Sequence, residues 1–189
     1  MRIGHLDLSR HLAGAEEQLV VLAEALSAQG IEQHAIVGNP FLARRLSVCT
    51  GITVGPVVRS PLAATFLMPA VDLVHVHDRN GANAGILLNM ARSMPYVLTQ
   101  RNLPVTGGLA RIHPRYARAE SIICPSQDVA NAARRMLPDK IVDVIGDARN
   151  PGDAIDPENG RVSAERIAAE TLRVYRRIRD ARGVPAVLL

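Results

Sequence analysis

Seven short runs of β-branched and apolar residues mark the first three quarters of the chain, at residues 2–6, 33–38, 52–57, 73–77, 96–99, 121–124 and 141–145. Between them lie stretches whose apolar positions recur at helical spacing. In residues 16–29, Leu19, Leu22, Ala23 and Leu26 share one face and Gly30 supplies the stop. Shorter helices are predicted over 41–46 and 82–92. Another covers 127–137, capped by Ser126 and ended by Pro138. Strand–helix alternation of this kind predicts βαβ units, hence an α/β, Rossmann-like fold with one doubly wound parallel sheet of seven strands. Residues 146–160 lose all periodicity and fill with Asp, Asn, Pro and Gly. After them Ser163 caps a helix to about residue 181, with Ile167, Thr171, Val174 and Ile178 on one face and Arg166, Arg173 and Arg177 on the other. Such a helix has to dock on something. The predicted organisation is a domain over 1–147, a linker over 148–162, a C-terminal amphipathic helix over 163–182 packing back on the domain, and an apolar tail over 183–189.

Composition narrows the class. With 189 residues and 48% hydrophobic side chains, the chain can build a core without a metal or a disulfide. Cys49 and Cys124 allow one bridge, but their apolar settings fit reduced core residues of a cytoplasmic protein. The first residues lack the apolar stretch of a signal peptide, and the greasy run at 61–71 falls short of the ~20 residues of a membrane span. Net charge is +4, and Lys140 is the only lysine, so the cationic side chains are almost all arginine. Guanidinium grips phosphates and carboxylates, although a GC-rich genome gives the same bias. Aromatics are 3% of the chain and Trp is absent, which leaves little to stack bases on and argues against nucleic acid. Anionic small molecules or lipid head groups suit the charge better.

In an open parallel sheet, ligands bind beyond the carboxyl ends of the strands, so the candidate chemistry lies in the loops there. The first loop leads through Gly14 into a helix N-terminus that could face a phosphate, with Gly14 permitting close backbone approach. It lacks the three-glycine fingerprint of a nicotinamide cofactor site. The fourth strand ends in His75-Val76-His77-Asp78-Arg79, whose spacing puts both histidines on one strand face. A metal pair has this form, but no third ligand follows at a familiar spacing. No metal is expected; His77 and Asp78 are expected to hold hydroxyls or each other, and His75 to be a hydrogen-bonded residue filling the sheet edge. The fifth strand runs into Arg101-Asn102, and a guanidinium at that position needs an anion or a carboxylate. Asp78 is the expected partner in the empty state. Cys124 and Ser126 read as a packing residue and a helix cap.

These loops, taken in order, resemble the N-terminal, acceptor-side half of a bacterial family 4 glycosyltransferase of GT-B architecture. The resemblance covers residues 1–145. It rests on Gly14-Ala15-Glu16, Gly30-Ile31-Glu32-Gln33-His34, Asp72-Leu73-Val74-His75-Val76-His77-Asp78 and Ala119-Glu120-Ser121-Ile122-Ile123-Cys124-Pro125-Ser126. His77-Asp78-Arg79 with Arg101-Asn102-Leu103-Pro104 is most like members that build lipopolysaccharide and other surface glycans. The chain departs from the family where Arg101 stands in place of a common histidine, and where Ala13-Gly14 stands in place of a glycine pair. The family's second Rossmann domain, which binds the nucleotide sugar, has no counterpart in 146–162, while Ser163 to Arg176 is similar to the helix that returns from it. The resemblance implies an acceptor domain in surface-glycan biosynthesis, peripheral at the inner face of the membrane, acting on a glycan or lipid-linked acceptor. Its cleft is expected to be lined by Gly14, His77, Asp78, Arg79, Arg101 and Asn102. A nucleotide sugar would be the donor, held by a partner protein or by a second copy, and transfer would retain anomeric configuration. Alone, the chain is expected to be inactive. The alternatives are a noncatalytic binding or regulatory subunit derived from such an enzyme, and a small α/β enzyme with its own chemistry in the same cleft.

Overall fold

The computed structural model describes residues 1–10, 14–101, 114–147 and 163–183. Seven parallel strands form one sheet in the order β3-β2-β1-β4-β5-β6-β7. They are β1 (Arg2–Asp7), β2 (Glu32–Val37), β3 (Ile52–Val54), β4 (Leu73–Val76), β5 (Tyr96–Thr99), β6 (Ser121–Cys124) and β7 (Val142–Val144). Every run of β-branched residues became a strand, because a sheet covered on both faces needs near-continuous apolar segments. The chain order reverses between β1 and β4, which makes their carboxyl ends the topological switch point.

Helices cover both faces. α1 (Gly14–Ala28), α2 (Pro40–Ser47) and α7 (Ala164–Ala181) lie on one side, where Ile3, Leu73, Val97 and Ile123 of the sheet meet Leu22, Leu26, Leu172 and Ile178. α3 (Pro61–Leu67), α4 (Arg79–Arg92), α5 (Pro114–Arg118) and α6 (Gln127–Met136) belong to the other, packed on Leu6, Val74, Val76, Leu98 and Ile122. Period-2 alternation sorts each strand's side chains between these two cores.

Two helices were not anticipated. α3 falls inside the greasy run; the Thr65 hydroxyl donates to the Pro61 carbonyl one turn back at 2.8 Å, and Ser60 with Pro61 forms the start. α5 is a single turn of five residues, too short for a periodic signal. α4 begins at Arg79, three residues earlier than the apolar pattern suggests, because Asp78 caps it. Gly81 is required there: a Cβ would lie 2.9 Å from the Leu6 carbonyl oxygen and 2.6 Å from the capping carboxylate.

The C-terminal helix docks. Ile167, Val174 and Ile178 are buried with Ala168, Leu172 and Tyr175 against α1 and the sheet. Arg177, expected on the solvent face, reaches back to Asp143 of β7 at 2.6 and 3.0 Å, and Ser121 donates to the same carboxylate at 2.6 Å. Cys49 and Cys124 are both free thiols. The predicted linker, 148–162, and all but the first residue of the 183–189 tail lie outside the described residues.

Candidate functional site

At the switch point, three histidines share the sheet face beneath α1 and α7. His5 and His75 sit side by side in the β1–β4 register, and His77 follows just beyond β4. All three are buried. His75 lies in the middle of the sheet rather than at an edge, between the Tyr175 hydroxyl of α7 at Nδ1 and the Thr99 hydroxyl of β5 at Nε2, each 2.6 Å away. His77 makes no bond with Asp78; its Nε2 lies 3.1 Å from Nδ1 of His5. The other nitrogen of His5 lies 2.9 Å from Oε1 of Gln33 on β2, and Gln33 donates its amide to the Ala23 carbonyl and the Ser27 hydroxyl of α1, both at 2.8 Å.

Burial keeps these rings neutral. Loss of hydration holds His5 down at about 4, and it lowers His75 and His77 well below the ordinary imidazole value, with neighbouring rings and the Arg101 guanidinium adding to the effect. Neutral imidazoles are metal ligands, and the nearest ring nitrogens of the three residues lie within 4.8 Å of one another. Five of the six ring nitrogens already face a protein partner, so a metal bound by the trio would have to displace hydrogen bonds the structure makes. The sixth, His77 Nδ1, is buried with no partner among the described residues.

Arg101 stands next to this cluster and corrects one expectation. Its partner is Asp147, just past β7, and not Asp78. Asp78 is occupied elsewhere: its carboxylate accepts from the backbone amides of Leu8, Asn80 and Gly81 at 2.8 to 2.9 Å, tying the first loop to α4. Arg101 is therefore neutralised within the chain, and its Nε is a second buried nitrogen without a partner. His77, Arg101, Asp147, Thr171 and Gln18 line one cavity of about 30 Å³, room for a group the size of one water or hydroxyl. Clefts of about 480 and 330 Å³ lie at the opposite, amino ends of the strands around the exposed Arg2–Glu32 pair, away from the switch point.

The remaining predicted residues are dispersed. Gly14 is the exposed first residue of α1, and a Cβ there would meet nothing within 4 Å, so no close approach inside the chain requires glycine. Arg79 is exposed at the start of α4. Asn102 lies outside the described residues. Sequence reasoning missed His5, Gln33, Thr99, Asp147 and Tyr175. It also missed Asp7, a buried carboxyl raised to about 6, chiefly by loss of hydration and then by Asp78; its Oδ1 accepts from the Ser9 amide at 3.1 Å while Oδ2 has no partner among the described residues. One signal was available: Ile3, His5 and Asp7 alternate along β1 as Leu73, His75 and His77 do along β4, so a parallel pairing places the polar members together.

No protein-family profile matches the chain, and no curated protein sequence does. Solved structures do. Anabaena Alr3699/HepE in complex with UDP and glucose aligns with a TM-score of 0.59 at 15% identity, over 79% of this chain and 45% of that one. The same protein with UDP-glucose gives a TM-score of 0.58 at 16% identity, over 79% and 44%. The likeness is one of fold, a parallel α/β, Rossmann-like sheet covered by helices. The chain spans less than half the length of these structures. Within this Rossmann-like frame, the histidine cluster leads from the interior of β1 and β4 to His77 at the carboxyl edge, where open parallel sheets take their ligands. No helix among the described residues is long and apolar enough to cross a membrane.

Proposed function

We propose that this chain is the acceptor-side domain of a glycosyltransferase of family 4 type, working in lipopolysaccharide or other surface-glycan synthesis. The observation that carries this reading is the likeness of fold to HepE, captured with UDP and glucose, together with a hydroxyl-sized cavity where His77 and Arg101 meet an otherwise largely apolar lining. His77 Nδ1 offers a lone pair and Arg101 Nε an N–H, both buried and without a partner among the described residues. A sugar hydroxyl is the group proposed to meet them, since it can both donate and accept through one atom. A carboxylate or phosphate suits the site less, because Asp147 already balances Arg101 and an anion has no proton for His77.

The surface-glycan assignment rests on the sequence resemblance around His77-Asp78-Arg79 and Arg101-Asn102. HepE has been captured with UDP-glucose, and a nucleotide sugar is the donor class that fits; Gly14 and Arg79 would border the approach to the cavity. Donor binding is assigned to a partner chain or a second copy, and the lipid-linked acceptor to a site at the inner face of the membrane. A thermal-shift titration with UDP-glucose, over a range of protein concentrations, tests the donor part of this reading. Stabilisation that grows with protein concentration supports assembly of a donor site. No response at any concentration favours the noncatalytic alternative, a binding or regulatory subunit that keeps the fold.

A further inference from the structure

We propose that Gln33 and His5 are positioning residues that fix the proton of His77 on Nε2 and hold its Nδ1 open as a hydrogen-bond acceptor. The proposal deepens the reading of His77 as a hydroxyl-binding residue, but it stands on the geometry of a hydrogen-bond chain running from α1 through β2 and β1 to β4.

The direction of the chain is fixed at its far end. The Ala23 carbonyl oxygen can only accept, so the Gln33 side-chain atom 2.8 Å from it is the amide nitrogen. The Gln33 atom facing His5 is then the carbonyl oxygen, again an acceptor, and His5 Nε2 must carry the proton across the 2.9 Å contact. A neutral His5 with its proton on Nε2 has a bare Nδ1. The only donor available to that lone pair at 3.1 Å is Nε2–H of His77. A neutral His77 with its proton on Nε2 is left with a bare Nδ1, which is the buried nitrogen found without a partner. Each link permits one arrangement of protons, so an amide on the neighbouring strand β2 sets the polarity of the site.

The pair around His75 has no such constraint. Tyr175 and Thr99 both end in hydroxyls, which can donate or accept, so His75 is free to take either tautomer. Two histidines on one strand face therefore differ in kind: His77 is set and His75 is adaptable.

Nitrogen-15 NMR of histidine-labelled protein at neutral pH reads the tautomer directly, with the His77 signals assigned by their loss in His77→Asn. In the wild type, His77 is expected as a single Nε2–H tautomer with an unprotonated Nδ1. Finding its proton on Nδ1 would overturn the proposal with no other variant needed. In Gln33→Leu the relay loses its fixed end; the expected result is loss of the single-tautomer signature at His77, with the His75 signals unchanged and the backbone spectrum still folded. His5→Phe removes the middle link and is expected to give the same loss. A His77 that stays purely Nε2–H in both variants would show that something other than the relay sets it. The measurement uses no ligand. A relay confirmed in a protein that binds no sugar leaves this inference standing and removes the hydroxyl reading, whereas sugar binding with the opposite tautomer does the reverse.

Discussion

Protonation at single residues sets the expected response to pH. His5 titrates at about 4 in the folded chain against 6.5 when unfolded. The unfolded state therefore binds more protons between those values, and stability falls as pH drops from 6.5 to 4, by about 3 kcal/mol for this ring. His75 and His77 shift the same way. Asp7 works in the opposite sense. Raised from 3.8 to about 6, it binds more protons in the folded state, so it withdraws a similar stabilisation, about 3 kcal/mol, as pH rises through that window. Three rings oppose Asp7, with Asp78 aiding it more weakly because three backbone amides favour its charged form. The net expectation is a urea midpoint that falls steadily below pH 6.5. In Asp7→Asn the acid side of the conflict is removed: the variant is expected to be more stable than wild type by about 2 to 3 kcal/mol at pH 7.5, with the gain gone by pH 4. Equal shifts at both pH values would contradict the assignment. Arg101→Ala, by contrast, deletes an ion pair whose Asp147 side chain is 44% exposed, and is expected to lose no more than about 1 kcal/mol in melting experiments.

Elements were more legible than the side chains that join them. All seven strands could be read from their composition, because a sheet buried on both faces leaves few alternatives to β-branched runs. The amphipathic C-terminal helix was legible for the same reason, since a stripe holding Ile167, Val174 and Ile178 has one stable destination. What could not be read was pairing across long separations. Arg101 meets Asp147, 46 residues on, and His75 meets Tyr175, 100 residues on; only the packing of α7 and the order of β4 to β7 bring them together. Asp78 was legible as polar and close to the site, yet its chemistry is consumed by capping α4. Tyr175 is the element-scale consequence, because it ties a docking helix, whose Ile167 and Thr171 line the cavity, to His75. Tyr175→Phe leaves His75 Nδ1 without that partner inside the core, and is expected to cost about 1 to 3 kcal/mol. Ile178→Ala on the same face is expected to cost about 2 to 5 kcal/mol through lost burial and a cavity. Chemical denaturation separates the two, since only the tyrosine change is expected to alter the His75 ring signals in NMR.

At the scale of the whole molecule, one sheet and its helices present a single ligand edge, and the buried histidines of that face lead toward it. The row from Gln33 through His5 to His77 runs from the amino end of β2 toward the carboxyl end of β4, where the His75 pair with Thr99 and Tyr175 and the Arg101–Asp147 pair also lie. The cavity lined by His75, His77, Thr99, Arg101 and Asp147, about 30 Å³, accommodates a single small group and not a nucleotide sugar. The chain spans 45% of the length of the HepE structure solved with UDP and glucose. A domain offering so small a contact is expected to bind UDP-glucose weakly by itself, because one or two hydrogen bonds leave little after the translational and rotational losses of association. The expected outcome is therefore no detectable release of UDP from UDP-glucose by the purified chain at micromolar concentration, with or without a glycan acceptor. Activity that rises with the square of protein concentration would place the donor site between two copies. Activity that appears only on adding another chain would place it there. Turnover proportional to the concentration of the chain alone, and abolished by His77→Asn, would show that this single domain holds both donor and acceptor, and that the division of labour proposed for it is wrong.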